Sequence, residues 1–131
     1  MAGDSANEVE IGEVMPDGTV YAGVSPESGK AMFTTAADAP ATCTFDEAQE
    51  YAAKLDAHGH RDWRVPTKGE LKVLFVNRKA IGGFEESGSE LVGWYWSSSP
   101  YSRRNAWAQR FSEGYQDTSL KHYYTSLRCV R

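Results

Sequence analysis

Three side chains in one short segment, His58, His60 and Asp62, are the residues best suited to binding a metal ion. Imidazole and carboxylate groups are good ligands for first-row transition metals. Their spacing is unspecific, however, because a solvated loop at the end of a helix accounts for the same residues. We therefore expect a loop here, and no bound metal or other cofactor.

The nucleophilic side chains do not form a recognisable catalytic motif. Ser97–Ser99 lack the G-x-S-x-G turn of a serine hydrolase, and His122 has no orienting partner evident in the sequence. Cys43 and Cys129 lie far apart in the chain and outside any C-x-x-C motif. We expect both to be reduced, mostly buried thiols, with one long-range disulfide as the alternative. The sequence therefore predicts that the protein is not an enzyme.

The segment from Trp94 to Arg131 instead concentrates side chains suited to recognition. It is rich in tyrosine and small polar residues and has little regular pattern outside Ala106–Phe111. Tyrosine supplies a large contact area at low entropic cost, while serine, asparagine and aspartate supply adaptable hydrogen bonds. We predict a binding surface for a macromolecular ligand, protein or glycan, with Trp94 the most exposed of the four tryptophans.

The composition is that of one soluble globular domain. Of the 131 residues, 40% are hydrophobic and 24% are charged, which argues against overall disorder. The net charge of −4 argues against general nucleic-acid binding. No apolar run approaches the ~20 residues of a membrane span. After Ser98 there are six basic and two acidic residues, which either a basic binding face or a chance distribution explains.

The first residues predict a flexible acidic lead-in over 1–14, followed by a single domain over 15–131. The lead-in has neither the basic nor the apolar region of a secretory signal peptide. We therefore expect a soluble protein that is cytoplasmic or associated with a phage or virion, and not one exported by the Sec route. The sequence leaves the final location open.

Local signals in the first half predict a hairpin and then a helix. Thr19–Val24 and Ala31–Thr34 have the composition of two strands joined by a turn with proline and glycine. Thr44 and Glu47 form a capping-box signature, and apolar residues recur at helical spacing after it. We expect this helix to end at Gly59.

The same signature predicts a second helix. Thr67 is followed three residues later by Glu70, and we expect Gly82 and its neighbouring glycine to close the element. Arg64 is expected to be structural, with Glu70 or a strand carboxylate as its partner.

The last third predicts three strands, Tyr95–Ser98, Ala106–Phe111 and Leu127–Val130. Side chains alternate along the middle strand, and we assign the larger ones to its inward face. The inward residues are Trp107, Gln109 and Phe111, and the outward ones are Ala106, Ala108 and Arg110. The sum is an α+β domain with two helices, short antiparallel strands and long C-terminal loops.

Several motifs stand in an order that resembles a known family. They are Gly23-x-Ser25-Pro26-x-x-Gly29-Lys30, Gly59-x-x-Asp62-Trp63-Arg64-Val65-Pro66-Thr67-x-x-Glu70-Leu71, Tyr95-Trp96-Ser97-Ser98-Ser99 and Arg128-Cys129-Val130-Arg131. In these residues the chain resembles the C-terminal domain family of bacterial collagen-like proteins, from about Gly18 to Arg131. The resemblance implies a C-type lectin fold akin to that of the formylglycine-generating-enzyme superfamily.

Domains of this type also occur as variable proteins of diversity-generating retroelements, in which adenine-directed mutagenesis rewrites chosen codons. The resemblance implies such a variable, ligand-binding region at about residues 94–131. Randomised AAC or AAT codons cannot encode Trp, Gln, Glu, Lys or Met. The positions expected to be constant are therefore Trp107, Gln109, Glu113, Gln116 and Lys121. The implied variable positions are Tyr101, Ser102, Arg103, Arg104, Asn105, Ala108, Arg110, Tyr115, Asp117, Thr118, Ser119, His122, Tyr123 and Tyr124.

The resemblance thus implies a binding module whose tyrosine-rich surface can be retargeted without refolding. The alternative is an invariant adhesin or structural domain of a surface protein that binds glycan or partner subunits; self-association stays open. The enzymes of the superfamily use a paired-cysteine copper site, which this sequence does not match. The loop Glu85–Gly93 also lacks the carboxylate and amide motif of calcium-dependent lectins.

Overall fold

The computed structural model describes residues 9–131 of the chain. This part contains two small antiparallel sheets and three helices, joined by loops. The elements in chain order are β1 (Val20–Val24), β2 (Ala31–Thr34), α1 (Phe45–Lys54), α2 (Lys68–Val76), α3 (Arg78–Ile81), β3 (Trp94–Pro100), β4 (Asn105–Arg110) and β5 (Gln116–Leu120). β1 pairs with β2, and the second sheet has the order β3-β4-β5. The mixed α+β class is therefore as the sequence predicted.

The predicted lead-in lies partly outside the described residues, which begin at Val9. Within the described part, the backbone N–H of Gly12 donates to the Tyr21 carbonyl at 2.8 Å, and Val14 bridges to Val20. Hydrogen-bonded pairing with β1 thus begins before the predicted domain boundary at residue 15.

The first predicted helix is present, but it ends earlier than expected. The Thr44 side chain accepts from the Glu47 backbone N–H, and the Glu47 carboxylate accepts from the Thr44 N–H, which completes the capping box. α1 ends at Lys54 because the next residue adopts an extended conformation. Gly59, with a φ of 77°, serves a tight turn whose flanking residues Ala57 and His60 hydrogen-bond to each other.

The second predicted helix is two helices. Thr67 and Glu70 form the expected capping box at the start of α2, which ends at Val76. α3 follows after Asn77 and closes at Gly82, whose φ of 81° suits a glycine. The predicted glycine stop is therefore correct for the last helical turn of this region.

The third strand of the large sheet was predicted in the wrong place. β5 (Gln116–Leu120) pairs with β4 in a register that matches Ala106 with Ser119 and Ala108 with Asp117. An edge strand can be polar because one of its sides is not covered by another strand. β5 has few of the apolar residues from which a strand is predicted, so the sequence pattern did not indicate it. Leu127–Val130 forms isolated bridges, through Val130 to Thr34 and Arg64. Its four residues are buried, and that burial accounts for their strand-like composition.

The face assignment along β4 was wrong in part, because both faces of the strand are covered. Gln109 and Phe111 are buried as expected. Ala106 and Ala108 are buried against Phe45 of α1 and Trp96 of β3, so α1 covers the face that we expected to be outward. Small side chains are needed there because a helix and an indole pack directly against the strand. Trp107, expected to be inward, is half-buried.

α2 covers the other face of the sheet. Leu71 and Leu74 of α2 pack with Tyr95 and Phe111 in a second buried cluster that also includes Val130. The large sheet is therefore covered by α1 on one face and by α2 on the other, and β5 forms one of its edges.

A buried ion pair joins the segments around these clusters. Arg128 is fully buried, and its Nε donates to Asp38 Oδ1 at 2.9 Å while its two Nη atoms donate to the carbonyls of Thr35 and Gly82 at 3.2 Å. The Tyr95 hydroxyl donates to the other oxygen of Asp38. Burial raises the pKa of Asp38 and lowers that of Arg128, which opposes the effect of their mutual attraction.

A second ion pair fixes the start of α2. Glu70, only 1% exposed, accepts from both Nη atoms of Arg64 at 2.5 and 2.9 Å, which confirms the predicted pairing. It also accepts from the Ser25 hydroxyl at 2.5 Å and the Thr67 backbone N–H at 3.0 Å. Burial alone raises the pKa of Glu70, but these donors outweigh it and lower the pKa to about 2.

This arrangement predicts that the protein loses stability in acid because Glu70 becomes protonated. Its pKa is about 2 in the folded state against an ordinary 4.5, so its contribution is complete above pH 4.5 and is lost as the pH falls toward 2. The difference in free energy of unfolding between the wild type and Glu70→Gln should shrink by about 3 kcal/mol between pH 6 and pH 2. Urea unfolding at both pH values measures it. Glu50→Gln, at an exposed carboxylate paired with Lys54, is the control; an equal change there contradicts the assignment.

Candidate ligand-binding site

The large sheet holds the predicted binding residues at three places along the chain. Tyr101–Asn105 span the turn between β3 and β4 and the first residue of β4. Tyr115 and Asp117–Ser119 lie just before and within β5, and His122–Tyr124 follow β5. Asn105 pairs with Leu120, so the β3–β4 turn and the segment after β5 lie at one end of the sheet, and Tyr115 lies at the other end.

Four tyrosines of the predicted set lie on the surface. Tyr101, Tyr115, Tyr123 and Tyr124 are between 44% and 62% exposed, whereas Tyr95 of the same sheet is fully buried. The expected exposure therefore holds for these side chains, and their role in binding stays a prediction.

The other predicted residues differ widely in exposure. The exposed ones are Ser102, Arg103, Arg104, Asp117 and His122, and the half-buried ones are Asn105, Arg110, Thr118 and Ser119. Ala108 is 1% exposed and belongs to the core under α1. Its placement on the binding surface was wrong, because strand alternation alone does not tell which face a helix covers.

A cavity of about 150 Å³ brings part of the predicted set together on the α1 face of the sheet. Register explains the grouping: Asp117 pairs with Ala108, which pairs with Trp96, and Trp94 lies two residues before Trp96 on the same face. We call this cavity the Trp94 groove. Six of the residues that line it are Glu90, Leu91, Trp94, Asp117, Ser119 and Tyr123. Tyr115 extends its aromatic wall, with its ring edge-on to Trp94 at 6.2 Å.

The turn before β3 forms the outer wall of the groove, and sequence reasoning missed it. Leu91 has a φ of 65°, a conformation that non-glycine residues rarely adopt and that costs roughly 1–3 kcal/mol. Hydrogen bonds on either side hold it there, from Gly93 N–H to Ser89 O and from Trp94 N–H to Leu91 O, both at 3.0 Å. The turn thus places the exposed Leu91 side chain beside Trp94. The predicted exposure of Trp94 was the one signal in the sequence for this site.

A second aromatic cluster lies on the opposite face of the sheet. Trp107 alternates with Ala106 and Ala108, so it faces α2 and not α1. Tyr101 packs edge-on against it at 5.5 Å, and the Lys68 ammonium lies 3.4 Å from the centre of its ring. The predicted residues therefore do not form one site. Apart from the Trp94 groove and this cluster, Arg104 and His122 line a third cavity, of about 460 Å³.

Comparison with known protein families identifies the domain family of this chain. A family model for the Lcl C-terminal domain matches residues 24–131. The chain belongs to the Lcl C-terminal domain family. The match contains the three helices described within residues 9–131, the large sheet and all the predicted site residues. It confirms the domain family to which the sequence resemblance pointed. Comparison with curated proteins gave no match.

The positive charge of this Lcl C-terminal domain's last third does not form one face. Arg128 is buried with Asp38, Arg131 pairs with Asp62 at 2.6 Å, and Arg110 pairs with Glu113 at 3.3 Å. The remaining basic residues, Arg103, Arg104 and Lys121, lie in the β3–β4 turn and after β5. Half of the tail's basic residues thus serve the scaffold or local ion pairs.

In the Lcl C-terminal domain, the two histidines that suggested a metal site both contact Asp17, and Asp62 is directed to a different partner. His60 Nε2 lies 2.7 Å from Asp17 Oδ2, His58 Nδ1 lies 3.2 Å from the Asp17 carbonyl oxygen, and Asp62 pairs with Arg131. Among residues 9–131, no group of three or more His, Cys, Asp and Glu side chains is arranged to hold a metal ion.

The other candidate nucleophiles have structural contacts. The buried Ser97 hydroxyl donates to the Trp107 carbonyl at 2.6 Å, and Ser99 accepts from the Lys68 N–H at 2.9 Å. Cys43 and Cys129 are free thiols, and burial raises their pKa values to about 11 and about 12. Both thiols are therefore protonated near neutral pH, and a protonated thiol is a poor nucleophile.

In the described part of the chain, no helix is long and apolar enough to cross a membrane.

The division predicts unequal stability effects for two groups of aromatic residues. Tyr101→Ala and Tyr124→Ala should each change the free energy of unfolding by less than about 1 kcal/mol, because their side chains are exposed. Trp96→Ala should cost about 3–5 kcal/mol, because it empties a buried space under α1. Urea unfolding of the three variants checks this. Tyrosine variants as unstable as the tryptophan variant would contradict the surface assignment.

Proposed function

We propose that this domain is a ligand-binding module that recognises a macromolecule, protein or glycan, through the tyrosine-rich surface around β5. One observation carries the proposal: four exposed tyrosines and their polar neighbours lie on a sheet whose two buried clusters do not include them. Exposed tyrosines are well suited to contact a partner, because each offers a large, rigid and amphipathic contact area at low entropic cost. The domain has no catalytic role in this proposal.

The mechanism is display of variable side chains on a fixed frame. The capping boxes of α1 and α2 and the ion pairs Arg128–Asp38 and Arg64–Glu70 hold the frame together. None of these contacts uses a residue of the predicted variable set. Side chains at the β5 edge can therefore change without removing an interaction on which the fold depends.

We further propose that the frame is a C-type lectin fold and that the region from Trp94 onward is diversified by a retroelement. The codon argument supports this. Gln109 and Gln116, which randomised codons cannot encode, make structural hydrogen bonds: Gln116 Nε2 donates to the Lys68 carbonyl at 3.1 Å and to Gln109 Oε1 at 3.2 Å. Most of the permitted positions are exposed or half-buried, with Ala108 the exception.

Comparison of several copies of the gene tests the diversification. Substitutions should concentrate at the exposed positions of the β3–β4 turn, β5 and the segment after it. They should be absent at Gln109, Gln116 and Trp107, and rare at the buried Ala108. Sequencing the neighbouring DNA for a reverse transcriptase and a template repeat is the companion measurement. Substitutions spread evenly over residues 24–131 would contradict the proposal.

A library experiment tests the binding function itself. The codons of Tyr101, Tyr115, Tyr123 and Tyr124 are randomised, and the displayed library is sorted against a panel of unrelated proteins and glycans. We expect the library to yield folded binders. In such a binder, replacing one selected side chain that contacts the ligand with alanine should cost about 2 kcal/mol of binding free energy, or ~30-fold in Kd. The control library randomises exposed positions of α1, namely Glu50, Ala53 and Lys54. Equal yields of binders from both libraries would contradict the proposal.

An invariant adhesin or structural domain is the second candidate, and an apolar area away from β5 favours it. Val24, Val76 and Val14 are between 52% and 66% exposed, and Val76 lines a cavity of about 340 Å³ together with Pro26, Val73 and others. Such an area suits contact with a partner subunit. In that case the gene copies would be invariant at β5.

A further inference from the structure

The Trp94 groove carries negative charge that the domain itself leaves uncompensated. Glu90 and Asp117 line it, and within residues 9–131 neither carboxylate takes part in an ion pair. One oxygen of Asp117 accepts from the Thr118 backbone N–H at 2.8 Å, and the other accepts no hydrogen bond within the described residues. The groove therefore offers two acceptors for a positively charged group.

The basic residues nearest the groove in the sequence are directed elsewhere. Arg110 donates to the Gly88 carbonyl at 2.6 Å and to Glu113 at 3.3 Å. The Lys121 ammonium lies over the Phe45 ring at 5.0 Å, at the start of α1. Neither side chain neutralises Glu90 or Asp117, so the attraction for a cation from outside is preserved.

The aromatic walls suit the same kind of group. Trp94 is half-buried, Tyr123 is 44% exposed, and the Tyr115 ring extends the wall at 6.2 Å from Trp94. The faces of tryptophan and tyrosine rings attract cations, and the effect is strongest for tryptophan. The volume of about 150 Å³ lies well below that of a pocket for a complete small molecule, and it fits the end of one side chain.

We propose that the Trp94 groove binds one cationic side chain, arginine or lysine, of a protein ligand. This inference rests on the proposed binding function and specifies its ligand class. The cation stacks on Trp94 between the tyrosine rings and donates hydrogen bonds to Asp117 and Glu90. Arginine fits best, because its planar guanidinium can stack on an aromatic face and donate to a carboxylate at the same time.

The test is an NMR titration of the ¹⁵N-labelled domain with N-acetyl-arginine amide. N-acetyl-citrulline amide, a neutral analogue of the same shape, is the matched probe. The arginine probe should shift the indole N–H of Trp94 and the backbone amides of Asp117–Ser119, with at least about fivefold tighter binding than the citrulline probe. Raising the salt concentration should weaken it, because the attraction is partly between charges.

Two variants make the test specific. Asp117→Asn should weaken binding of the arginine probe about fivefold while leaving citrulline binding unchanged. Asp56→Asn changes an exposed carboxylate outside the groove that pairs with Arg61 at 3.1 Å, and it should have no effect on either probe. Thermal unfolding of both variants verifies that each is folded at the titration temperature.

The outcomes separate this inference from the proposed function. Equal binding of the two probes, or shifts only outside the groove, overturns the cation site. A response of the same amides to methyl mannoside and not to arginine also overturns it, in favour of a glycan ligand, and leaves the binding function intact. If no probe shifts the groove while the tyrosine library yields binders, the cation site alone fails. Failure of the tyrosine library as well overturns both.

Discussion

The buried pair of Arg128 and Asp38 is the contact on which the rest of the structure depends. It lies where the loop after β2, the segment after α3, β3 and the C-terminal segment converge, through Asp38, Gly82, Tyr95 and Arg128 itself. Taking two charges out of water is expensive, and the pair persists because almost every donor and acceptor around it is used. Removing one partner would leave an uncompensated buried charge, at a cost of about 3–5 kcal/mol.

β5 contributes to the fold through its pairing with β4 and the hydrogen bonds of Gln116, but it takes no part in this ion pair. α1 and α2 cover the two faces of the sheet up to β4, and β5 remains as an edge strand with polar residues. Polar and charged residues on an edge also discourage unwanted pairing with other strands. The same edge separates the Trp94 groove from the Trp107 cluster. A ligand that contacts both areas must therefore reach around β5.

The distribution of charge follows from the same construction. In the sequence, the last third has an excess of basic residues, which by itself suggests attraction for an acidic partner. Folding places Arg128 in the interior and pairs Arg131 with Asp62 and Arg110 with Glu113. The groove is left with Glu90 and Asp117 unpaired among the described residues. The charge of a segment in the sequence and the charge of one groove that it lines can thus differ in sign.

The sequence by itself determined what depends on near neighbours in the chain. The capping boxes at Thr44 and Thr67, the first hairpin and the Arg64–Glu70 pair all join residues close in sequence, so their residue types were sufficient. Only the tertiary structure decided which face of β4 a helix covers, that β5 is a strand, and that Leu127–Val130 is not. It also decided that the predicted residues lie in separate areas of the surface. These features depend on what packs against a segment from elsewhere in the chain, and strand alternation describes only the segment itself.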